Sequence, residues 1–446
     1  MTGDDMSPRQ KLTLGILAVV LWGGCLSVHL PEVSVKPGSE TEKLTWDSLV
    51  RQTIAENPDL AGARYGITSR ARSRDQAFGS YLPSVSGNFD RNRQRTTGTD
   101  PMKDDMAFGI TGDQPMFTGL NTTGQFLKAG KDLEATRWAY QVTSANVRFQ
   151  LRSVYIELLK LDQLLAVNRR IAERRKQNAE MIRLRYNAGR ENLGSAMRGD
   201  AIAEQAEFNV RQTMRRMESQ SLLLGKVVGG DFVVPAKVEG EMEKIIPAPD
   251  DETPDYPGLA EQTPTVYQLT KTAEAFKAAV ISAQSVIWPQ VNGSLDYGYE
   301  GGKLQHLRDQ FLLGMTVTLP FFNGGKNIEG ILKAKADYQT SLEAAESARN
   351  SAVAQLADAW VQLQDARENV VVNKHFLEAG RKRAEIIRAE YASGLVDFQE
   401  FDITEQDFAN AETAYVQSLA DVLTKAANWE FVKGSTLEDV LHETRS

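Results

Sequence analysis

The chain has 446 residues, with 51 Lys and Arg against 59 Asp and Glu and a formal net charge of −8. That balance excludes nucleic acid as the main partner, which demands a dominant basic face. A mean hydropathy of −0.37 likewise excludes a bundle of membrane helices, since each span needs about 20 largely apolar residues.

From the N-terminus, Arg9 and Lys11 precede an apolar run from Leu12 to Trp22, followed by Gly23, Gly24 and Cys25. Basic, then apolar, then small is the order of an export signal. Residues 1–24 are therefore predicted as a signal peptide of the lipoprotein type, and 25–43 as an N-terminal tether. The segment resembles a bacterial lipoprotein signal, in which Cys25 becomes the acylated first residue. Trp22 stands where that pattern usually has an aliphatic residue, and the competing reading is a differently cleaved signal with an incidental thiol. Cys25 is the only cysteine, so no internal disulfide or cysteine metal cage exists.

Beyond the leader the chain repeats itself. Pro-x-Phe-x-Gly occurs at Pro115 and again at Pro320, 205 residues later, and Tyr186 and Gly189 answer to Tyr391 and Gly394 at the same offset. Leu151, Tyr155, Leu158 and Leu165 answer to Leu356, Trp360, Leu363 and Val370, while Pro58, Pro83, Val85 and Gly87 answer to Pro264, Pro289, Val291 and Gly293 at 206. The chain is read as a tandem duplication: a first repeat over 44–228, a linker over 229–258, a second repeat over 259–434 and a tail over 435–446. The linker carries five prolines and many acids and reads as irregular.

Each repeat has the same internal order. A helical stretch comes first, about Thr45 to Tyr81 and Pro257 to Ile287. Two strands follow, about Val85 to Arg95 and Ala107 to Phe117, then Val291 to Tyr299 and Phe311 to Leu319. In the last, Phe311, Leu313, Met315, Val317 and Leu319 share one face while Gly314, Thr316 and Thr318 share the other. Polar loops around Thr96 to Asp105 and Gly301 to Asp309 join the pairs. Then come about seventy residues of helix, broken near Tyr186–Gly189 or Tyr391–Gly394, and a returning helix of about forty. The narrow seam of Leu151, Tyr155, Leu158 and Leu165 is a coiled-coil pattern, and seventy residues at 1.5 Å reach roughly 100 Å. The fold class expected is mixed α and β, with tandem-duplicated long coiled-coil hairpins and four strands per chain.

Alternating strands of about ten residues suit a membrane barrel, but four cannot close one, since the smallest have about eight. If these strands lie in lipid, several chains must share a barrel, because lipid tolerates no open edge. Alternation alone equally describes soluble hairpins packed beside the helices.

Taken together, Asn57-Pro58, Tyr81-Leu82-Pro83, the two Pro-x-Phe-x-Gly corners, Arg185-Tyr-Asn-Ala-Gly189 and Glu390-Tyr-Ala-Ser-Gly394-Leu395 resemble the TolC family of outer-membrane efflux and secretion channels. The resemblance covers Leu44 to Gly434. It implies a homotrimer whose three chains give a twelve-stranded barrel in outer-membrane lipid, above a tunnel of helices closing like an iris in the periplasm. It further implies the passive exit duct of a tripartite efflux pump or type I secretion system. Its partners would be a periplasmic adaptor (membrane fusion) protein and an inner-membrane transporter of RND, ABC or MFS type. The adaptor-docking tips would be Gly189, Arg190, Gly394 and Leu395. Arg190 follows its glycine where the family more often has an aliphatic residue; Leu395 keeps that pattern. The alternative function is a periplasmic coiled-coil adaptor or scaffold without its own barrel, which would not need two duplicated amphipathic hairpins.

No Gly-x-Ser-x-Gly, His-Glu-x-x-His or Cys-x-x-Cys is present. The four histidines are scattered and read as surface residues, and Asn323-Gly-Gly-Lys326 lacks the phosphate-loop spacing. No catalytic residue, cofactor or metal is expected. The two helix breaks differ in charge. Residues 183–200 hold four arginines against two acids, and residues 388–405 hold one arginine against five acids. If basic and acidic hairpins alternate around the mouth, pairs between Arg185 or Arg190 and Glu390 or Asp397 are expected to hold it shut. Glu400 and Asp402 are expected to ring the lumen.

Overall fold

The computed structural model describes residues 44–95, 103–230, 236–247, 253–302 and 307–443. Cys25, with the expected signal and tether, lies outside them. Helices α1 (Trp46–Glu56) and α2 (Pro58–Gly79) lead into strands β1 (Ser84–Gln94) and β2 (Lys103–Phe117), then α3 (Asn121–Asn187) and α4 (Leu193–Val228). Two short helices, α5 (Met242–Ile245) and α6 (Tyr256–Glu261), precede α7 (Pro264–Gln284), β3 (Gln290–Gly301), β4 (Arg308–Thr318), α8 (Lys326–Ser393), α9 (Phe398–Lys433) and α10 (Leu437–Glu443). Among the described residues no helix is long and apolar enough to cross a membrane.

The first helical stretch of each repeat is not continuous. Asn57 is extended, with ψ at 124°, and its Oδ1 accepts from the Leu60 N–H while Pro58 opens α2. The second copy repeats this break at Thr263-Pro264, with ψ at 138°. A residue before proline is pushed out of the helical region, and proline is preorganised for the first helical position. Asn57 also donates from Nδ2 to the Val227 carbonyl at 2.6 Å, so the break is pinned to the end of the first hairpin.

Helices α3 and α8 run for 67 and 68 residues, and their returning partners α4 and α9 for 36 each. At 1.5 Å per residue the long pair spans about 100 Å. The main core gathers where α1, α3, α4, α8, α9 and α10 meet. Leu49, Leu151, Leu224, Leu356, Val422 and Leu437 are each wholly buried there, and each such burial is worth about 1.5–3 kcal/mol. A second, smaller cluster of Ile182, Ala196, Ile387, Tyr391 and Phe401 sits at the far ends of the hairpins.

The linker is less irregular than its prolines suggest. Met242 on α5 is fully buried, Tyr155 donates its hydroxyl to the Glu239 carbonyl, and Tyr415 donates to Glu243 Oε1 at 3.0 Å.

Candidate functional site

Two features position chemistry in this fold: a four-stranded sheet at one end of the long helices, and the hairpin tips at the other. The sheet is antiparallel throughout in the order β1-β2-β3-β4, so β1 and β4 are its edges. Register places Phe89 opposite Phe108 and Phe108 opposite Tyr299, and places Leu295 opposite Leu313 and Val291 opposite Val317. Directly opposed residues share a face. One face therefore carries Val85, Phe89, Ile110, Phe108, Val291, Leu295, Tyr297, Phe311, Leu313, Met315 and Val317. The other carries Ser86, Asn88, Asp90, Thr111, Asp113, Ser294, Asp296 and Thr316, with Leu312 breaking the pattern. Large members of the first face lie open: Val85 and Leu313 are each 72% exposed. An apolar face left open, opposite a polar one, is the arrangement of membrane-barrel strands rather than of a soluble hairpin, whose apolar face would be covered.

Pro115 lies in β2, an interior strand, yet the ladder tolerates it because the register shifts between Pro115 and Phe117. A bulge is where an interior strand accommodates a missing N–H. The chain then turns into α3 through Gly119 and Leu120, both left-handed, and the second copy turns through Gly324 and Gly325 in the same conformation. Leucine at the position of Gly325 carries a cost of about 1–2 kcal/mol that glycine avoids.

At the other end, Gly189 and Gly394 have φ of 70° and 86° and close α3 and α8. Asn192 and Asp397 then cap the returning helices by accepting from the Ser195 and Glu400 N–H groups, at 2.8 and 2.9 Å. Leu395 is 78% exposed beyond its glycine, and Arg190 and Glu390 are solvent-facing or half-buried.

The expected ion pairs between Arg185 or Arg190 and Glu390 or Asp397 are not among those formed within one chain. Arg185 instead donates to the carbonyls of Tyr391 and Ala392, with its guanidinium 4.5 Å from the Tyr391 ring centroid. Tyr391 is wholly buried, stacks on Phe401 with centroids 4.4 Å apart, and donates its hydroxyl to Glu191 Oε2 at 2.9 Å. Burial first, and then the Glu191 hydrogen bond, push the Tyr391 phenol far above its ordinary range.

Glu400 is exposed, but Asp402 does not face open space. It is 7% exposed in the single chain, and association can only lower that figure. Arg198 Nη2 and Arg175 Nη1 lie 2.8 and 3.6 Å from its carboxylate, so two guanidinium groups already neutralise it. One helical turn on, Glu405 is almost wholly buried and pairs with Arg174 and Arg388, while Arg174 also pairs with Glu412. Burial pulls the Arg175 pKa down, against the opposing pull of Glu405 and Asp402. The acids of the second hairpin thus tie α9 to α3, α4 and α8. Sequence reasoning counted these acids but missed Arg174 and Arg175 as their partners, and missed the packing of Tyr391 on Phe401 and its bond to Glu191. The one available signal was the aromatic at Tyr391, beside a glycine and an acid in a helix break.

Among the described residues no group of three or more histidines, cysteines or acids is placed to hold a metal.

The sequence pattern of the family described as outer membrane efflux protein matches residues 49–230 and 257–434. The outer membrane efflux protein BepC of Brucella suis biovar 1 (strain 1330) is 18% identical over 372 residues, covering 82% of this chain and 80% of its own. The fold is similar to that of the outer membrane protein VceC from Vibrio cholerae, with a TM-score of 0.76 at 19% identity over 87% of this chain and 96% of that one. It is also similar to the Campylobacter jejuni CmeC outer membrane channel, with a TM-score of 0.77 at 15% identity over 94% and 97%.

Proposed function

Because the chain belongs to the outer membrane efflux protein family, we propose that three copies share one barrel and form the passive exit duct of a tripartite pump. The protein is an outer-membrane efflux channel with a long periplasmic portion, and its role is transport. The observation that carries the trimer is the sheet, whose apolar outward face ends in two unpaired edges, β1 and β4. Lipid accepts no open edge. Since β1 and β4 run antiparallel to each other, the β4 edge of one copy can pair with the β1 edge of the next in the same alternation. Two copies would give eight strands, a barrel whose interior side chains nearly fill it. Three give twelve and leave a lumen lined by the polar face. The α3–α4 and α8–α9 hairpins of three copies would continue that lumen as a periplasmic tunnel.

Such a duct holds no energy source, so an inner-membrane transporter drives export and a periplasmic adaptor joins the two. The exposed tips at Gly189, Arg190, Gly394 and Leu395 are the docking points in this reading. Cross-linking of the full chain in mild detergent tests it. Products that stop at three chains support the shared barrel, and a monomer that still inserts into lipid overturns it.

A further inference from the structure

The apolar face of β1 does not stay apolar. Its members in order are Val85, Gly87, Phe89, then Arg91 and Arg93, all exposed, and Arg95 follows just past the end of the strand. The change comes just past a row of aromatic residues in register, Phe89, Phe108 and Tyr299, in which Phe108 and Tyr299 stack with centroids 5.3 Å apart. The helices leave the sheet at the opposite end, so this end points away from the periplasm. Aromatic residues mark the level where hydrocarbon meets headgroups. Arg91 and Arg93 therefore stand on the lipid side, just outside that level. The polar face at this end has its own arginine, Arg308, opposite Glu300, so the ladder on β1 is not a general excess of charge at the barrel mouth.

Within the sheet the ladder meets one carboxylate. Asp104 lies 3.0 Å from Arg93 and 3.7 Å from Arg91 and is itself 29% exposed. Arg91 and Arg93 keep 55% and 61% of their side-chain surface open. The carboxylate spaces the two guanidinium groups without cancelling them. Residues two apart on a strand stand about 6.8 Å from each other, a spacing that lets neighbouring forks bracket a phosphate. Arginine binds phosphate bidentately, and its planar fork suits that geometry better than a lysine. An arginine on the lipid face is costly at the membrane centre, but only slightly so near the interface. A headgroup phosphate would turn that small cost into a gain.

We propose that Arg91 and Arg93 form a site on the outer rim of the barrel for the phosphate groups of outer-leaflet glycolipid. The proposal rests on the outer-membrane channel reading. It supplies that reading with a lipid ligand and a fixed vertical position for the barrel. Nearby on the same face, Asp309 of β4 comes opposite Tyr299. In a closed barrel β4 of a neighbouring copy adjoins β1, so Asp309 is the competing partner for these arginines.

The test titrates the full-length protein in detergent with a diphosphorylated glucosamine glycolipid, and with its dephosphorylated form, and counts bound lipid by native mass spectrometry. The doubly substituted chain R91Q/R93Q should bind the phosphorylated lipid about tenfold or more weakly, since each charge-assisted bond is worth about 1.5–3 kcal/mol. R308Q on the polar face should bind as the parent does, and D104N should bind several-fold more tightly. Millimolar inorganic phosphate should not displace the lipid, because the acyl chains contribute alongside the headgroup. Equal binding of the dephosphorylated lipid overturns the proposal, as does unchanged binding by R91Q/R93Q. A fall in trimer stability for D309N that matches that of R91Q/R93Q, with lipid binding intact, assigns the arginines to the neighbouring copy instead. R91K/R93K, which keeps the charge without the fork, should bind between the parent and the Gln form. Conductance of R91Q/R93Q in uncharged phospholipid bilayers separates the two claims. A conducting trimer that has lost lipid binding leaves the channel standing, and a chain that never conducts in any form undoes the channel reading itself.

Discussion

Tyr391 joins the two hairpin tips through a stack, a cation–π contact and a hydrogen bond, and if those tips close the mouth, removing its hydroxyl is the sharpest perturbation of that closure. Tyr391→Phe keeps the stack on Phe401 and the surface beneath Arg185, and removes only the bond to Glu191. A hydrogen bond to a charged group is worth about 1.5–3 kcal/mol, and half-buried Glu191 places this one near the lower figure. Three copies acting on one mouth would then remove about 4–5 kcal/mol. Moving a closed channel from 99:1 to even takes only about 2.7 kcal/mol, so a mouth that is closed most of the time should become mostly open. The assay is single-channel recording in planar bilayers, with Tyr391→Phe, Glu191→Ala and the double variant read as a cycle. Each single change should raise open probability, and the double should add little to either. Tyr391→Ala should go further, since losing the ring adds a cavity cost of about 3–5 kcal/mol. Burial and Glu191 both raise the phenol's pKa above its ordinary value of about 10. The bond is therefore present in full below that value and is lost only as pH climbs through the still higher folded one. Closure should accordingly be insensitive to pH across the neutral range. Unchanged conductance in both single variants, or fully additive effects in the double, refutes this account of the tip.

Glu405→Ala should lower stability by about 3–5 kcal/mol in thermal denaturation, because it strands Arg388 and leaves Arg174 with Glu412 alone; a loss under about 1 kcal/mol would show the network to be dispensable. Tyr415 has its pKa pushed up to about 12 by burial and then by Glu243, so the stability difference between the parent and Tyr415→Phe should be constant below roughly pH 10 and vanish as pH rises through the folded value. Gly229 and Gly394 both have left-handed backbones, with φ of 93° and 86°, but a Cβ at Gly229 would run into the Glu56 carbonyl oxygen while Gly394 has open space. Gly394→Ala should therefore cost only the backbone strain of about 1–2 kcal/mol, and Gly229→Ala distinctly more, as read from unfolding midpoints.

Much of the architecture was legible because it depends on short-range periodicity. Strands expected at 85–95 and 291–299 lie at Ser84–Gln94 and Gln290–Gly301, since alternation registers directly in the sequence. The long helices and their returns were equally visible, because nothing between their glycines breaks a helix. The splits at Asn57-Pro58 and Thr263-Pro264 were available in principle, because the residue before a proline is pushed out of the helical region. The tips were only half legible. Charge counts set a basic hairpin against an acidic one, yet partners there stand some 204 to 231 residues apart in the chain, as in Arg198 with Asp402 and Arg175 with Gln406. Which arginine meets which acid depends on how two coiled coils lie side by side, and a one-dimensional pattern does not encode that. Hence Asp402, expected to ring a lumen, is instead a buried link between hairpins.

In the proposed assembly this chain conducts through a barrel and tunnel built by three copies. Purified full-length protein added to one side of a planar bilayer tests it most directly. Discrete, uniform current steps are predicted, from a species whose cross-linked mass is three chains. Absence of steps from a correctly folded trimer, or steps from a monomer, would contradict the account.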